Sequence, residues 1–406
     1  MRDEMKKVPR LRFRGFQEDW ELCKLGTLAE IVRGASPRPI QDSKWFDNTS
    51  DVGWLRISDV TEQNGRIYKL EQKLSKAGQE KTRVLRKPHL LLSIAATVGK
   101  PVVNYVNTGV HDGFLIFLNP LFDREFMFQW LEMFTSKWQK YGQPGSQVNL
   151  NSELVRNQEL RIPSTNEQEK IGTLFKQLDD TITLHQRKLD QLKELKKAYL
   201  QVMFPVKDER VPKVRFAAFE DDWKLCKLGS ILEERNEQMA ENNEYYLMSF
   251  VQGKGVTPKG DRYDRSFLVK DEKKKYKKTE FGDFIYSSNN LERGSIGFNR
   301  TGKALISPVY SIFKSKNQLE SQFIGILSER KSFINRMTKF RQGVVYGQWR
   351  IHEADFLNVE VRIPSHMEQK GIIKFFSNLD NMIIVHQNKL NQLKTLKKSY
   401  LQNMFV

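Results

Sequence analysis

The chain has 406 residues, and its 67 lysines and arginines outnumber its 49 aspartates and glutamates, which gives a net charge of +18. This positive excess favours a polyanionic partner such as a nucleic acid. A hydrophobic fraction of 39% excludes a disordered basic tail, and only two cysteines exclude a disulfide framework and a cysteine-based zinc site.

The first sixteen residues are basic but lack the apolar core of a signal peptide. The longest apolar stretch, around residues 90–98, is too short to span a bilayer. The low cysteine content is typical of proteins in a reducing compartment. We therefore expect a cytoplasmic protein.

The segment VPRLRFRGFQEDWELCKLG, residues 8–26, recurs at residues 211–229 with 12 of 19 positions identical. An internal repeat of this length indicates that the chain is built from two related halves. Cys23 and Cys226 occupy equivalent positions in the repeated Leu-Cys-Lys-Leu-Gly, and we interpret them as small packed residues. Both halves therefore open with the same structural element.

The middle of each half, about 135 residues, hardly resembles its counterpart in sequence. Both middles nevertheless contain strand-like runs with glycine turns, then a stretch with helical spacing, then a glycine-containing loop. In chain order these are residues 90–100, 110–118, 125–141 and 142–151 in the first half, and 283–298, 304–313, 319–340 and 341–350 in the second. The pattern predicts two mixed α/β domains of one type with different surfaces.

Residues 162–204 form a second repeat, which returns at residues 363–405 with 25 of 43 positions identical. Each copy begins with Ile-Pro and a Ser-x-x-Glu capping box, Ser164–Glu167 and Ser365–Glu368, which marks a helix start. The apolar residues that follow at intervals of three and four predict a helix of about 40 residues in each half. One small domain cannot bury a stripe of that length, so each helix needs a partner helix.

The two repeat helices are the natural partners for each other. We expect them to pair antiparallel, because this keeps each domain near the start of its own helix; parallel pairing is the alternative. His185 and His386 interrupt the apolar stripe, and we interpret them as polar residues that fix the register and not as metal ligands. The predicted coiled-coil seam consists of Ile171, Phe175, Leu178, Ile182, His185, Leu189, Leu192, Tyr199, Ile372, Phe376, Leu379, Ile383, His386, Leu390, Leu393 and Tyr400.

The predicted fold class is α+β: two similar α/β globular domains separated by two long helices that form an antiparallel coiled coil, with a pseudo-twofold internal duplication. The sequence contains no complete motif that is typical of a catalytic site. Residues 297–303 have the spacing of a phosphate-binding loop, but Ala304 stands where Ser or Thr would bind magnesium. We therefore predict no catalytic residue and no metal site in this chain.

The chain combines two domains of one fold type but different sequence, a pair of long helices and an excess of positive charge. This combination is suited to recognising two separated sites on duplex DNA. Because the domains differ, the two half-sites should differ, and the helices should set the spacing between them. Two alternatives remain open: a stand-alone DNA-binding enzyme such as a nuclease, and a coiled-coil scaffold for other proteins.

The doubled Ser-x-x-Glu-Gln helix, the Asp-Trp-x-x-x-x-Leu-Gly opening and the unlike middles resemble the DNA-specificity subunit of type I restriction-modification enzymes over essentially the whole chain. The resemblance implies a non-catalytic subunit flanked by two methyltransferase subunits and joined by restriction subunits. AdoMet, ATP and magnesium would belong to those partners, and an adenine in each half-site would be methylated.

The resemblance also implies four successive parts of the chain. These are a first target recognition domain at residues 1–163, a central repeat helix at 164–204, a linker with the second recognition domain at 205–363, and a C-terminal repeat helix at 364–406.

Residues that contact DNA are predicted at strand ends and in glycine-containing loops, where polar side chains can reach phosphates or base edges. A solvated loop residue is the simpler interpretation for each one. The lysine-rich run at 273–278 is interpreted as a phosphate-facing or solvated loop. The predicted DNA-binding residues are Arg56, Ser58, Asp59, Thr97, Lys100, Gln147, Asn149, Asn151, Lys254, Asn289, Asn290, Arg293, Tyr346, Gln348 and Arg350.

Overall fold

The computed structural model describes residues 7–95, 97–141, 150–206, 209–251, 254–258, 275–288, 291, 295–345 and 348–406. The chain divides into two compact units. Unit 1 combines residues 1–186 with residues 388–406, and unit 2 is the continuous segment 187–387. Each long helix is therefore shared between the units, so the units are composed differently from the four successive parts predicted along the chain.

Unit 1 contains ten strands and five short helices before the first long helix, among the described residues. Its elements are β1 (Glu21–Lys24), α1 (Leu25–Leu28), β2 (Glu30–Arg33), β3 (Gly53–Trp54), α2 (Ile57–Glu62), β4 (Arg66–Ile67), α3 (Lys76–Glu80), β5 (Arg83–Leu85), β6 (Leu90–Ser93), β7 (Pro101–Asn104), β8 (Thr108–Val110), β9 (Phe114–Leu118), α4 (Arg124–Phe134), α5 (Ser152–Arg156) and β10 (Glu159–Ile162). Short 3-10 turns lie at Ser43–Trp45 and Thr135–Tyr141. The long helix α6 (Thr165–Val202) follows.

Unit 2 repeats this plan after the second copy of the opening segment. Its elements are β11 (Lys224–Lys227), α7 (Leu228–Ile231), β12 (Leu232–Glu234), β13 (Gln238–Met239), β14 (Tyr246–Val251), β15 (Gly255–Pro258), β16 (Tyr276–Thr279), β17 (Phe284–Tyr286), β18 (Ile296–Phe298), β19 (Ala304–Ile306), β20 (Ser311–Ser315), α8 (Glu320–Leu327), α9 (Lys331–Thr338), β21 (Gln342–Val345), β22 (Gln348–Arg350), α10 (Glu353–Leu357) and β23 (Glu360–Ile363). The second long helix is α11 (His366–Asn403).

The two globular parts share one sheet topology although their sequences differ. In unit 1 the main sheet has the order β2-β9-β6-β7-β4, and in unit 2 the order β12-β20-β17-β18. A second sheet pairs β3 parallel and β5 antiparallel with β8, just as β14 and β16 pair with β19. The prediction of two mixed α/β domains of one type is confirmed.

The repeated opening segment forms the same small ladder in both units. Strand β1 pairs antiparallel with β10, and β11 pairs with β23. The tryptophan that precedes each first strand, Trp20 or Trp223, is 1% exposed within the core of its unit. Cys23 and Cys226 are half-buried free thiols in these ladders.

The long helices run antiparallel within each unit. In unit 1, Phe175 near the start of α6 contacts Phe405, which directly follows α11, with ring centroids 5.8 Å apart. In unit 2, Tyr199 near the end of α6 contacts Phe375 near the start of α11, at 4.9 Å. Parallel pairing would place these residues at opposite ends of the helices, so the antiparallel prediction is confirmed.

The predicted seam residues fall into two groups by burial. Six of the buried members belong to the globular cores of their units: Ile171, Phe175, Leu192, Ile372, Phe376 and Leu379. The buried members are Ile171, Phe175, Leu189, Leu192, Ile372, Phe376, Leu379, Leu390 and Leu393, and the half-buried members are Leu178, Ile182, His185, Tyr199, Ile383, His386 and Tyr400.

Apolar residues beside the seam are divided between the core and the surface. Ile373 is 9% exposed and belongs to the core of unit 2. Leu195, Leu396, Ile384 and Val385 are instead exposed on the helix surfaces. Among the described residues, neither long helix nor any shorter one has the length and apolar character needed to cross a membrane.

Candidate nucleic-acid interface

The turn at residues 111–113 brings three loops of unit 1 together. Ser36 Oγ donates a hydrogen bond of 2.7 Å to the carboxylate of this turn. The ring of Trp54 lies 5.6 Å from the imidazole of His111. Ile94 N donates to the carbonyl of Gly113 at 2.9 Å. The loops that follow β2, β3 and β6 therefore meet at one turn between β8 and β9.

His111 is a half-buried member of this junction. Its ring lies 4.8 Å from Phe114, and its Nδ1 accepts a hydrogen bond of 2.9 Å from Gly113 N. Burial lowers the pKa of His111, and the adjacent Asp112 carboxylate opposes this only in part. The histidine therefore acts as a neutral acceptor that holds the turn in shape.

Arg56 lies in the short connection between β3 and α2, and Ser58 lies in the first turn of α2. Arg56 is the N-cap residue of α2, and its Nη2 lies 3.0 Å from Oδ1 of Asp59. Asp59 is 3% exposed, and its Oδ2 also accepts from Arg56 N at 2.8 Å. Asp59 thus orients the half-buried Arg56, whereas Ser58 is exposed. Asp59 stays a DNA-binding prediction, although its carboxylate already has these partners.

Thr97 and Lys100 lie in the turn between β6 and β7. Gly99 has φ +83°, and a Cβ there would meet the Trp138 ring at 2.4 Å, so only glycine allows this close approach. Thr97 Oγ1 donates to Ser93 Oγ at 3.2 Å. Lys100 is exposed. This turn therefore presents one cation on a rigidly packed support.

The late loop of unit 1 is described only at its end. Asn151 is the N-cap of α5, and its Oδ1 accepts from Leu154 N at 2.8 Å. Gln147 and Asn149 lie outside the described residues. The Asn151 amide nitrogen remains the part of this exposed side chain that can face a ligand.

An open cleft of 530 Å³ beside Trp54 was missed by sequence reasoning. Three amide side chains line it, together with Phe46 and the Trp54 ring; the amides are Gln41, Asn48 and Gln72. Amides can pair with adenine edges, and aromatic faces can stack on bases. The residues are scattered over 32 positions of sequence, so no local pattern indicates the cleft.

Unit 2 has an equivalent junction at residues 307–310. There the Phe250 ring of β14 lies 5.6 Å from Tyr310, so an aromatic pair again joins this strand to the turn before the next strand of the main sheet, β20. Lys254, just after β14, is exposed. Asn289, Asn290 and Arg293 lie outside the described residues.

Arg350 ends the hairpin formed by β21 and β22 and is exposed. Its neighbour Ile351 is buried, and Ile351 N donates to Ser288 Oγ at 3.0 Å. The hydroxyl of Tyr286 donates to the Ile351 carbonyl at 3.2 Å. These bonds fix the residue next to Arg350 to Tyr286 and Ser288. Tyr346 and the side chain of Gln348 lie outside the described residues.

The lysine-rich run at 273–278 ends in strand β16. Lys277 and Lys278 belong to β16, where Lys277 is 7% exposed. Lys278 Nζ lies 3.0 Å from Glu237 and 3.2 Å from Glu280. The interpretation as a free basic loop is therefore wrong for these two residues, because the strand pairs them; residues 273–274 lie outside the described part.

An ion network that sequence reasoning missed joins the globular part of unit 1 to both helices. Asp179 of α6 lies 2.6 Å from Lys397 of α11 and 3.1 Å from Arg66 of β4. Lys397 also pairs with Glu132 of α4 at 2.7 Å, and Arg66 pairs with Glu125 at 2.7 Å. Burial alone would lower the pKa of Arg66, but the surrounding acidic groups raise it. Each of the two cations is thus paired with two carboxylates inside the unit.

Unit 2 contains the same network built from different strands. Asp380 of α11 lies 2.7 Å from Lys196 of α6 and 2.5 Å from Arg300. Lys196 also contacts Glu329 at 2.6 Å. Arg300 stacks over Phe298 at 4.4 Å, as Arg66 stacks over Phe128 at the same distance.

The two helix residues of each network could have been identified from the sequence, because they recur at the offset of the helix repeat. Asp179 and Asp380 are separated by 201 residues, as are Lys196 and Lys397, which is the offset of the helix repeat. Arg66 and Arg300 come from the unlike middles and have no shared sequence signal.

Each helix start is fixed to the opening segment by a bidentate ion pair. Arg12 donates to both carboxylate oxygens of Glu167 at 2.7 and 2.8 Å. Arg215 does the same to Glu368, at 2.8 Å for both bonds. The helices begin where the capping boxes predicted, but these glutamates bind arginine. Within the described ranges, no three His, Cys, Asp or Glu side chains are grouped so that they could hold a metal ion.

Comparisons with known proteins agree with this architecture. A family model described as "Type I restriction modification DNA specificity domain" matches residues 17–194 and 220–395. The chain is similar to the type I restriction enzyme MjaVIII specificity subunit of Methanocaldococcus jannaschii, with 20% identity over 94% of this chain and 91% of that protein. Its fold is similar to the crystal structure of a type I restriction-modification system S subunit from M. genitalium, with a TM-score of 0.66, 13% identity, and coverage of 98% and 99% of the two chains.

Proposed function

The chain belongs to the type I restriction-modification DNA specificity domain family, and we propose that each of its two globular parts recognises one half of a bipartite DNA target. Basic loop residues would contact phosphates and position the domains, and a few polar side chains would contact base edges. In unit 1 the described candidates lie after β3, in the turn between β6 and β7 and at the start of α5; in unit 2 they are Lys254 after β14 and Arg350 at the end of β22.

This proposal rests on one observation: the two units share the same structural framework but differ in the residues of their loops. The opening ladder, the sheet order and the ion networks occur in both units. The junctions differ, with Trp54 and His111 in one unit and Phe250 and Tyr310 in the other. Two units with the same framework and different contact residues would recognise two different half-sites. The complete target would therefore be asymmetric. The helices shared between the units would set the spacer.

We propose that this chain itself carries no catalytic activity. Two methyltransferase subunits would bind it and methylate an adenine in each half-site, and restriction subunits would complete the assembly. AdoMet, ATP and magnesium would be bound by those partners, and the complex would act in the cytoplasm. Exposed apolar side chains on the long helices support a partner surface there. They are Leu184, Leu195, Ile384, Val385 and Leu396.

Methylation mapping tests the proposal directly. The chain is co-expressed with its methyltransferase subunit, and modified adenines are mapped across the host genome. We expect a single asymmetric target with two unlike half-sites and a fixed spacer. Methylation without sequence preference, or a symmetric target, would contradict the proposal.

A binding assay with the purified complex separates DNA recognition from a role as a protein scaffold. Phosphate contacts release counterions, so the affinity for duplex DNA should fall steeply as salt concentration rises. A flat salt dependence would favour a scaffold. Purified chain that cleaves or methylates DNA without partner subunits would instead favour an enzyme.

A further inference from the structure

A cleft of 870 Å³ in unit 2 is lined by none of the predicted DNA-binding residues. One wall is formed by residues 205–206 and the ladder of β11 and β23, and the other by helix α9 and the residues after it. Four cationic side chains line it, Arg330, Arg336, Lys339 and Arg362, against the single carboxylate of Glu360. The cleft therefore carries a strong positive excess.

The arginines of the cleft are held by backbone carbonyls. Arg330 Nη1 donates to the Pro205 carbonyl at 3.1 Å, and Arg336 Nη1 donates to the Glu360 carbonyl at 3.0 Å. In the part of the chain that the structure describes, neither guanidinium forms an ion pair with a carboxylate within 4.0 Å. A guanidinium has five N–H donors, so each retains donors for a ligand.

The two guanidinium groups are also unfavourably placed in the absence of an anion. Both are half-buried. Burial lowers the pKa of both arginines, and the charge of Arg336 lowers that of Arg330 further. Elsewhere in the protein, buried arginines such as Arg66 and Arg235 have acidic partners. An anion bound in the cleft would supply the missing counter-charge.

Apolar surface completes the lining. Trp223, Leu225, Leu327 and Phe340 border the cleft, and Leu225 is 55% exposed. Asn335 and Asn358 add amide groups at the same site. A volume of this size and a mixture of apolar walls with a few polar groups are typical of small-molecule sites.

We propose that this cleft binds a nucleoside phosphate. Its phosphates contact Arg330, Arg336 and Arg362, and its base lies against the apolar wall. Arginine forks match phosphate oxygens in a bidentate manner. The concave shape suits a small ligand better than the convex backbone of a duplex.

Arg330 of the cleft has no counterpart in unit 1 at the equivalent position. In the ion networks, Glu329 of unit 2 corresponds to Glu132 of unit 1 because each contacts the equivalent lysine. The residue after Glu329 is Arg330, whereas the residue after Glu132 is Met133. The first cation of the site is therefore absent from the equivalent position, and we expect one nucleotide per chain.

Calorimetric titration of the full chain with ADP, with pyrophosphate and with a non-target duplex tests the proposal. We expect saturable binding of ADP at a stoichiometry of one, with pyrophosphate binding more weakly and competing with it. Arg336→Gln and Lys339→Gln should each weaken ADP binding, by about tenfold for Arg336→Gln. Lys331→Gln, on the same helix but outside the cleft, is the matched control and should leave the affinity within about twofold.

Two variants keep the test independent of folding, because the exposed Lys339 can be changed without removing a buried group. Unchanged ADP affinity in both variants, or no ADP binding by the wild-type chain, would overturn the proposal. Pyrophosphate binding as tightly as ADP would refute the part of it that concerns the nucleoside. Loss of duplex binding in Arg336→Gln without any ADP binding would assign the cleft to DNA phosphates and would also overturn it.

Discussion

The ammonium group of Lys397 lies 2.6 Å from the carboxylate of Asp179, which ties the end of the second long helix to the first half of the first one. Both side chains are less than 16% exposed. Lys196 and Asp380 repeat the contact at 2.7 Å in unit 2. Because Arg66 and Arg300 reach the same carboxylates from the sheets, each globular part is fixed to its helix pair by charge as well as by apolar packing.

Asp179→Asn should therefore destabilise unit 1. Lys397 and Arg66 lose their shared carboxylate but keep Glu132 and Glu125, so we expect a loss of about 1.5–3 kcal/mol, the range for hydrogen bonds to charged groups. Denaturant unfolding, followed by hydrogen exchange in residues of unit 1, measures the loss. Lys176→Gln is the control, because its pair with Asp180 is exposed and should contribute under about 0.5 kcal/mol. An equal effect of both changes would contradict the role of the network.

Arg56→Ala should relax recognition of one half-site, and Arg350→Ala should relax recognition of the other. Loss of an arginine that contacts a base costs about 1–3 kcal/mol of discrimination. Methylated adenines are mapped for each variant co-expressed with the methyltransferase subunit. Arg86→Ala is the control, since Arg86 is exposed and pairs with Asp51. Unaltered target sequences in both variants would count against the predicted site residues.

A heptad inserted after Gln186 together with one after Gln387 should change the spacer and leave the half-sites unchanged. Seven residues lengthen a helix by about 10 Å, which corresponds to about three base pairs. Insertion in both helices preserves the antiparallel seam. Sequencing of the methylated sites gives the spacer directly. A constant spacer, or altered half-site sequences, would show that the helices do not set the distance.

Acidification should destabilise unit 1 through His111. Its pKa is lowered in the folded state, because burial disfavours the imidazolium and Nδ1 accepts from Gly113 N. The unfolded chain therefore takes up the proton more readily, so this stability is present above about pH 6.5 and is lost as pH falls toward the folded pKa. His111→Gln should flatten that part of the profile. An identical pH dependence in the variant would assign the effect to other groups.

The sequence predicted those parts of the fold that repeat or that follow a regular period. The helix starts after Ser164 and Ser365 and the antiparallel pairing of α6 with α11 follow from capping signals and from 3,4 spacing. Two unlike middles whose lengths differ by only two residues correctly indicated one domain type. These features depend on interactions between residues that are close in sequence, so the order of residue types along the chain is enough to predict them.

The site was less predictable because its residues converge through tertiary contacts. Trp54 and His111 are 57 positions apart, and Gln41, Asn48 and Gln72 meet only across loops. Arg66 joins its network from β4, whereas Arg300 joins the equivalent network from the segment after β18. Asp59 is of a residue type that often contacts ligands, yet it is buried and its carboxylate binds Arg56. In the structure it orients Arg56.

The composition of unit 1 has a consequence for folding during translation. Its core includes Met404 and Phe405, and Leu11 N donates to the Asn403 carbonyl at 2.8 Å. Residues 388–406 emerge from the ribosome only after all of unit 2 has been made. Unit 1 therefore begins to be synthesised first but is completed second. Until residues 388–406 are available, the apolar surface that they cover stays exposed to solvent and accessible to chaperones.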